Sequence, residues 1–202
     1  NNNVLVNTYQ ALTISGSPAE LEINGNTIDK ATSSSAKLDY GIRIVGAAGA
    51  YIRNNSITNT NTALYLESLF GPPGLSPYSN PFFSPSQNFV YSNTFSNGIV
   101  GLQSVTDTYF DLFCNSFTNY STAGWLNQGL YYNPVTFTNE IGTSTIPSTN
   151  FWDNPNGIDI SATNDPSFAI DYTSRETSAS GRCGNVEPST WSAPPCTVTV
   201  AT

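Results

Sequence analysis

The chain has 202 residues, with 14 acidic against 6 basic side chains and a net charge of −8. That length suits one domain or at most two small ones, and the acidity disfavours nucleic acid, whose phosphates it would repel. Histidine is absent, which excludes Ser-His-Asp and Cys-His catalysis and His-ligated metals.

Only 10% of residues are charged, against about 25% in an average soluble domain, so Asn, Ser and Thr must supply the polar surface. Aromatics make up 12%, enough to bury a core, and wholesale disorder is not indicated. No apolar run approaches the roughly 20 residues of a membrane span, and no signal peptide is visible. Methionine is missing even at position 1, so the chain reads as a processed or excised piece.

Taken from the first residue, the chain repeats. Residues 2–15 (NNVLVNTYQALTIS) align without a gap on residues 54–67 (NNSITNTNTALYLE). The shared unit is Asn, any, apolar, any, Asn, three residues, then Ala or Gly. It recurs from Asn93, through Phe95 and Asn97 to Gly101, and from Asn115, through Phe117 and Asn119 to Ala123. A variant at Asn26 keeps Ile28, loses the second Asn at Lys30, and reaches its small residue late, at Gly41. The first asparagines fall at 3, 26, 55, 93 and 115. The short spacings give a unit of about 22 residues. The long ones contain insertions at 30–36 and at 71–86, the latter rich in Pro, Gly and Ser. A sixth, decayed unit is read at Asn139, Glu140 and Ile141.

Residues alternate in character on both sides of each Asn. Upstream, Ile23, Ile52, Val90 and Leu112 are apolar, while Asn24, Arg53, Tyr91 and Phe113 follow them. Such alternation over short runs predicts strands, about three per unit. A short unit of three strands predicts an all-β chain: a right-handed, single-stranded parallel β-helix of about 5–6 coils, with strands pairing in parallel above and below. Two interior columns are expected. One holds Leu5, Ile28, Ile57, Phe95 and Phe117; the other holds Leu12, Ile42, Leu64 and Leu102. Two asparagine ladders are expected as well, Asn3, Asn26, Asn55, Asn93 and Asn115, and Asn7, Asn59, Asn97 and Asn119. Asn tolerates the positive φ of sharp turns, and stacked amides can hydrogen-bond from coil to coil.

Coils are assigned to residues 1–141 and a capping segment to 142–202, which holds Trp152, Trp191 and several Pro. Such a stack leaves apolar ends to cover, so end-to-end contact with another copy, or with other coils of a larger chain, is the partnership this reading expects. Cys183 and Cys196 flank twelve residues, and a disulfide there would fit an oxidising compartment. The rival pairing joins Cys114 to a tail cysteine, and otherwise Cys114 is a buried or turn thiol.

The stretches IRNNSITNT, VYSNTFSNGIVGL and CNSFTN resemble parallel β-helix repeats of the pectate-lyase-like superfold. The tail is similar to the C-terminal ends of Asn-rich secreted surface proteins of Bacteroidetes-type bacteria, which implies an extracellular or cell-surface location. The superfold includes lyases with a Lys or Arg base, hydrolases with clustered Asp, and non-enzymes, so it does not fix a function.

Outward positions carry Glu22, Asn24, Arg43, Arg53, Glu67 and Asp111. Glu22 and Asp111 are separated in their column by Tyr51 and Phe89, so no two acids stack on adjacent coils as glycoside hydrolysis needs. Arg43 and Glu67 read as a salt bridge. No catalytic residue is assigned. The segment 153–159, with Asn164 and Asp165, is oxygen-rich enough for calcium, but it lacks the EF-hand pattern and turn formation explains it more simply; no cofactor is expected. Tyr65 and Trp125 are placed in one outward column with Gln103 between them, and with Arg43 and Arg53 they form the candidate glycan-binding set. The leading expectation is an extracellular structural or adhesive module without catalysis. The alternative is a polysaccharide-binding or polysaccharide-degrading protein.

Overall fold

A computed structural model of the chain describes residues 4–6, 10–16, 19–29, 38–69, 88–106, 108–129, 131–132, 140–141, 150–153, 158–162, 171–172 and 186–187. The insertions at 30–36 and 71–86, Asn3, Asn7, Cys183 and Cys196 lie outside the described residues. Among the described residues the chain is all-β, with strands and no helix. Every strand pairing among the described residues is parallel.

The strands form three stacks. In the first, Val4–Val6, Thr27–Asp29 and Ser56–Thr58 are followed by the start of Thr94–Val105, the start of Ser116–Gln128, and Phe151–Asp153. In the second, Gln10–Ser15, Leu38–Val45 and Thr60–Glu67 are followed by the ends of the same two long strands, then Ile158–Ala162 and Val186–Glu187. The long strands join these two stacks into one eleven-stranded sheet. The third stack is a four-stranded sheet of Ala19–Asn24, Ala48–Arg53, Phe89–Tyr91 and Asp111–Phe113. Two short pairs complete the set: Thr108–Tyr109 with Tyr131–Tyr132, and Glu140–Ile141 with Asp171–Tyr172.

The interior columns follow from the side-chain period of two. Leu5, Ile28, Ile57, Phe95, Phe117 and Trp152 are successive register partners. Ile28, Ile57, Phe95 and Phe117 are fully buried. The Phe95 and Phe117 rings lie 5.0 Å apart, and Phe117 stacks on Trp152 at 4.3 Å. The second column runs Leu12, Ile42, Leu64, Leu102, Trp125 and Ile160. Each buried member contributes roughly 1.5–3 kcal/mol. Where the side chains grow, neighbouring positions shrink. A Cβ on Gly101 would come within 2.5 Å of the Gly124 carbonyl oxygen and 2.7 Å of the Phe117 ring.

The asparagines close the corners between the third and first stacks. Asn26, Asn55, Asn93, Asn115 and Asn150 are all at most 4% exposed. Asn26 donates both its main-chain N–H and its Nδ2–H to Asn55 Oδ1, at 3.0 and 2.8 Å. Asn55 does the same to Asn93, at 3.0 and 2.9 Å. Asn93 repeats it on Asn115, at 3.0 and 2.9 Å, and Asn115 on Asn150, at 2.9 and 3.0 Å. The remaining Nδ2 donor capacity reaches back to main-chain carbonyls: Asn55 to Ile23, Asn93 to Ile52, Asn115 to Val90 and Asn150 to Leu112. Burying these amides is tolerated because they are hydrogen-bonded.

Positive φ is displaced by one residue from its expected place. The residues that adopt it are Gly25, Asn54, Ser92 and Cys114, each just before a ladder asparagine. The ladder asparagines therefore serve by hydrogen bonding, not by tolerating a left-handed backbone. At the second corner Asn59, Asn97 and Asn119 do have φ of 59°. Their amides form no continuous ladder. Asn119 donates to Asn97, but Asn97 donates to Thr58 and Asn59 to Asp29. Gly16, Gly46, Ser68 and Thr106 take positive φ at the third corner. Cys114 is exposed at its turn.

Two expectations about position change. The ladder member that follows Asn115 among the described residues is Asn150, and parallel stacking runs past residue 141 through Phe151–Asp153 and Ile158–Ala162. The register also shifts by one residue within Ser116–Gln128. Gly98 pairs with Tyr120 but Val100 pairs with Ala123, so Ser121 and Thr122, both exposed, occupy the space of Ile99. This β-bulge moves every later side chain to the opposite face from the one an ungapped repeat predicts. Gly124, not Ala123, then falls in line with Gly101.

We expect Asn93→Ala to cost at least about 3 kcal/mol, because it strands two buried donors of Asn55 and uncovers the Ile52 carbonyl. Asn93→Asp should not rescue it, since a carboxylate accepts from Asn55 but has no side-chain N–H for Asn115 Oδ1 or the Ile52 carbonyl. Asn97→Ala should cost about 1 kcal/mol and Asn97→Gly less, because its amide bonds to Thr58 and Asn119 are exposed and replaceable by water, and the left-handed backbone carries most of the cost. Urea unfolding midpoints read all three. Burial also holds the Tyr120 phenol well above the ordinary tyrosine value. The unfolded chain loses that proton near pH 10 while the folded chain keeps it, so stability falls as pH rises. The slope is about 1.4 kcal/mol per pH unit from this group until its folded value is reached. Urea melts of Tyr120→Phe across the alkaline range should lack that part of the decline.

Candidate functional site

The outer faces of the stacks differ in chemistry. The first stack points Thr27, Ser56, Thr94 and Ser116 outward in one column and Asp29, Thr58, Ser96 and Thr118 in the next. Apart from Asp29 it is a short-chained hydroxyl surface, and its groups partly satisfy one another, as in Ser96 Oγ to Thr58 Oγ1 at 3.1 Å.

The second stack carries Arg43, Tyr65 and Gln103 in register on its outer face. Arg43 lies 3.5 Å from Glu67, as expected from the sequence. The Tyr65 hydroxyl donates to Glu67 at 3.0 Å, and the Arg43 guanidinium lies 5.2 Å from the Tyr65 ring centre. Tyr40 packs edge-on to Tyr65 at 5.0 Å. Burial first, and the bond to Glu67 second, raise the Tyr65 phenol above its ordinary value.

Trp125 is not part of this face. The bulge places Leu126, not Trp125, in the column of Tyr65 and Gln103. Trp125 turns inward, is fully buried, and donates Nε1–H to Ser104 Oγ at 2.9 Å. Ser104 donates in turn to Asn127 Oδ1 at 2.7 Å. The candidate glycan-binding set is thus divided three ways. Arg43 and Tyr65 stand together, Trp125 is interior, and Arg53 belongs to the third stack.

That third stack builds the most distinctive surface. Its register sets Glu22, Tyr51, Phe89 and Asp111 in one outward column, and Asn24, Arg53, Tyr91 and Phe113 in the next. The columns form because these residues alternate with buried Ile23, Ile52, Val90 and Leu112. Arg53 donates to Glu22 Oε1 from Nε at 2.9 Å and also from Nη2. The bond to Glu22, and then one to Tyr91, hold the guanidinium above its ordinary value, so it stays charged. Its carbon lies 6.0 Å from the Tyr91 ring centre. Tyr91 stacks on Phe113 at 5.1 Å with planes 4° apart, and Tyr51 lies 5.4 Å from Phe89. Tyr51 remains 40% exposed. Glu22, Tyr51, Arg53 and Tyr91 line a depression of about 470 Å³.

Glu22 and Asp111 lie on the two edge strands of the four-stranded sheet, with Tyr51 and Phe89 between them in register. Arg43 and Arg53 are each matched by one glutamate on different stacks. Among the described residues no three Cys, Asp or Glu side chains cluster to hold a metal. The calcium candidate at 153–159, with Asn164 and Asp165, lies largely outside the described residues. Among the described residues no helix is long and apolar enough to cross a membrane.

Sequence reasoning missed Asn88. It replaces an apolar residue in the interior, accepts from the Ala50 N–H at 2.9 Å and donates to the Tyr109 carbonyl at 2.7 Å. It matches no repeat position, so nothing in the spacing marked it.

Trp125→Ala should cost about 3–5 kcal/mol in urea unfolding, the range for deleting a buried Trp. Tyr65→Ala, half-buried on the outer face, should cost clearly less. Equal costs would contradict the register shift.

No protein-family model, no curated protein and no solved structure matches the chain.

Proposed function

We propose that this chain is an extracellular structural or adhesive module, wound as a right-handed parallel β-helix of about five to six coils and without catalysis of its own. The observation that carries the reading is the unbroken asparagine ladder from Asn26 to Asn150. It supports a chain whose polar side chains are committed to holding a stack together. Three parallel strand stacks visited in turn by each unit are what such winding requires. Arg43 and Arg53, the basic side chains among the described residues, are each paired with one glutamate on different stacks rather than converging. The low charge content and the tail's resemblance to secreted surface proteins support the extracellular placement. End-to-end association with another copy, or with further coils of a larger chain, fits the same reading.

Beads carrying the purified chain should adhere to polysaccharide-coated glass or to one another under flow that strips albumin-coated beads. The same protein, incubated with pectin, alginate or neutral glucans, should release no new reducing or unsaturated ends. Product release that disappears in Arg53→Ala or Asp111→Asn would replace this reading with an enzyme. Beads that hold no better than albumin would remove the adhesive part.

A further inference from the structure

The depression between Tyr51 and Tyr91 has features that the stacking of strands does not explain. Two phenol rings wall it, and a carboxylate and a guanidinium face it from Glu22 and Arg53. We propose that it is a binding site for an uncharged glycan chain, an inference that rests on the adhesive reading above.

The chemistry of the lining selects the ligand class. A pyranose ring has apolar C–H faces and a girdle of hydroxyls. Aromatic surface covers the first, and planar Arg and carboxylate groups bond the second in pairs. Pockets of about 300–1,000 Å³ hold small ligands, and 470 Å³ falls in that range. The lining is fixed before a ligand arrives. Arg53 is clamped by Glu22, Tyr91 is braced by Phe113, and Tyr51 rests on Phe89. Little side-chain ordering then opposes binding. The depression also opens outward: the Glu22 and Arg53 side chains are 44% and 38% exposed, so a polymer can lie across it.

Charge decides between glycan types. Glu22 and Arg53 cancel, so the depression offers no net positive charge, while the chain as a whole carries −8. A polyuronate would meet repulsion from the chain and compete with Glu22 for Arg53. A neutral hexose or pentose polymer meets neither.

Native electrophoresis tests this directly, because the acidic chain migrates toward the anode through gels cast with a polysaccharide. We expect retardation in at least one of galactomannan, mixed-linkage β-glucan and arabinoxylan, and none in polygalacturonate. Tyr51→Ala should weaken binding about tenfold or more, and Arg53→Lys, which keeps charge but loses the planar fork, should also weaken it. Thr94→Ala, on the outer face of the first stack, should bind as the parent does. The proposal is overturned if no neutral polymer retards the chain, if polygalacturonate retards it as much, or if both groove variants bind normally. Circular dichroism shows whether Tyr51→Ala keeps its strands; if it does not, Arg53→Lys alone decides. Beads that still adhere while no glycan binds the groove would sink this site and leave the adhesive reading standing.

Discussion

A buried primary amide has to find partners for one oxygen and two hydrogens, and here each ladder asparagine finds them on its neighbours. Every Oδ1 from Asn55 to Asn150 accepts two N–H groups from the preceding member, and the Nδ2 of each also reaches back to a carbonyl. The bonds stay between 2.8 and 3.0 Å although the sequence separations are 29, 38, 22 and 35 residues. The ladder thereby fixes the phase of each unit whatever length of chain leaves and returns. Loop closure penalises added length only slowly, so long insertions between units are compatible with one register. Hydrogen-bond chains of this kind also polarise one another in a low-dielectric interior.

With phase fixed at one corner, alternation does the rest. Ile28, Ile57, Phe95 and Phe117 point inward because they stand two residues after the ladder. Tyr51, Arg53 and Tyr91 point outward because they alternate with Ile52 and Val90. The aromatic depression is therefore a by-product of the same register that builds the core. Its contents are a separate matter, since neither burial nor strand pairing requires an Arg between a Glu and a Tyr.

Much of this was legible in the residues. The parallel pairing, both interior columns and four of the described ladder members follow from the spacing of Asn and of apolar residues. The Arg43–Glu67 pair was legible for the same reason. Three features were not. The bulge at Ser121 and Thr122 leaves the repeat's residue types intact, and its trace was two adjacent small polar residues with a glycine one place late. That single residue reversed the reading of Trp125, from surface to core. Asn150 was hidden because a sequence with several Asn offers many false ladder members, and only the inward Trp152 two residues later distinguishes it. The displaced positive φ was hidden because Asn serves both purposes, and Gly25, Ser92 and Cys114 share no side-chain chemistry that announces a turn. The grouping of Arg53 with Tyr51 and Tyr91 needed the register of three strands at once.

The amide column has a direction. From one amide to the next, each member gives its hydrogens toward the C-terminal side and offers its oxygen toward the N-terminal side. Reversing any one unit would set oxygen against oxygen on one flank and hydrogen against hydrogen on the other. Such a molecule has two chemically unlike poles, and growth by further units obeys a one-way grammar in which only the same orientation can be appended.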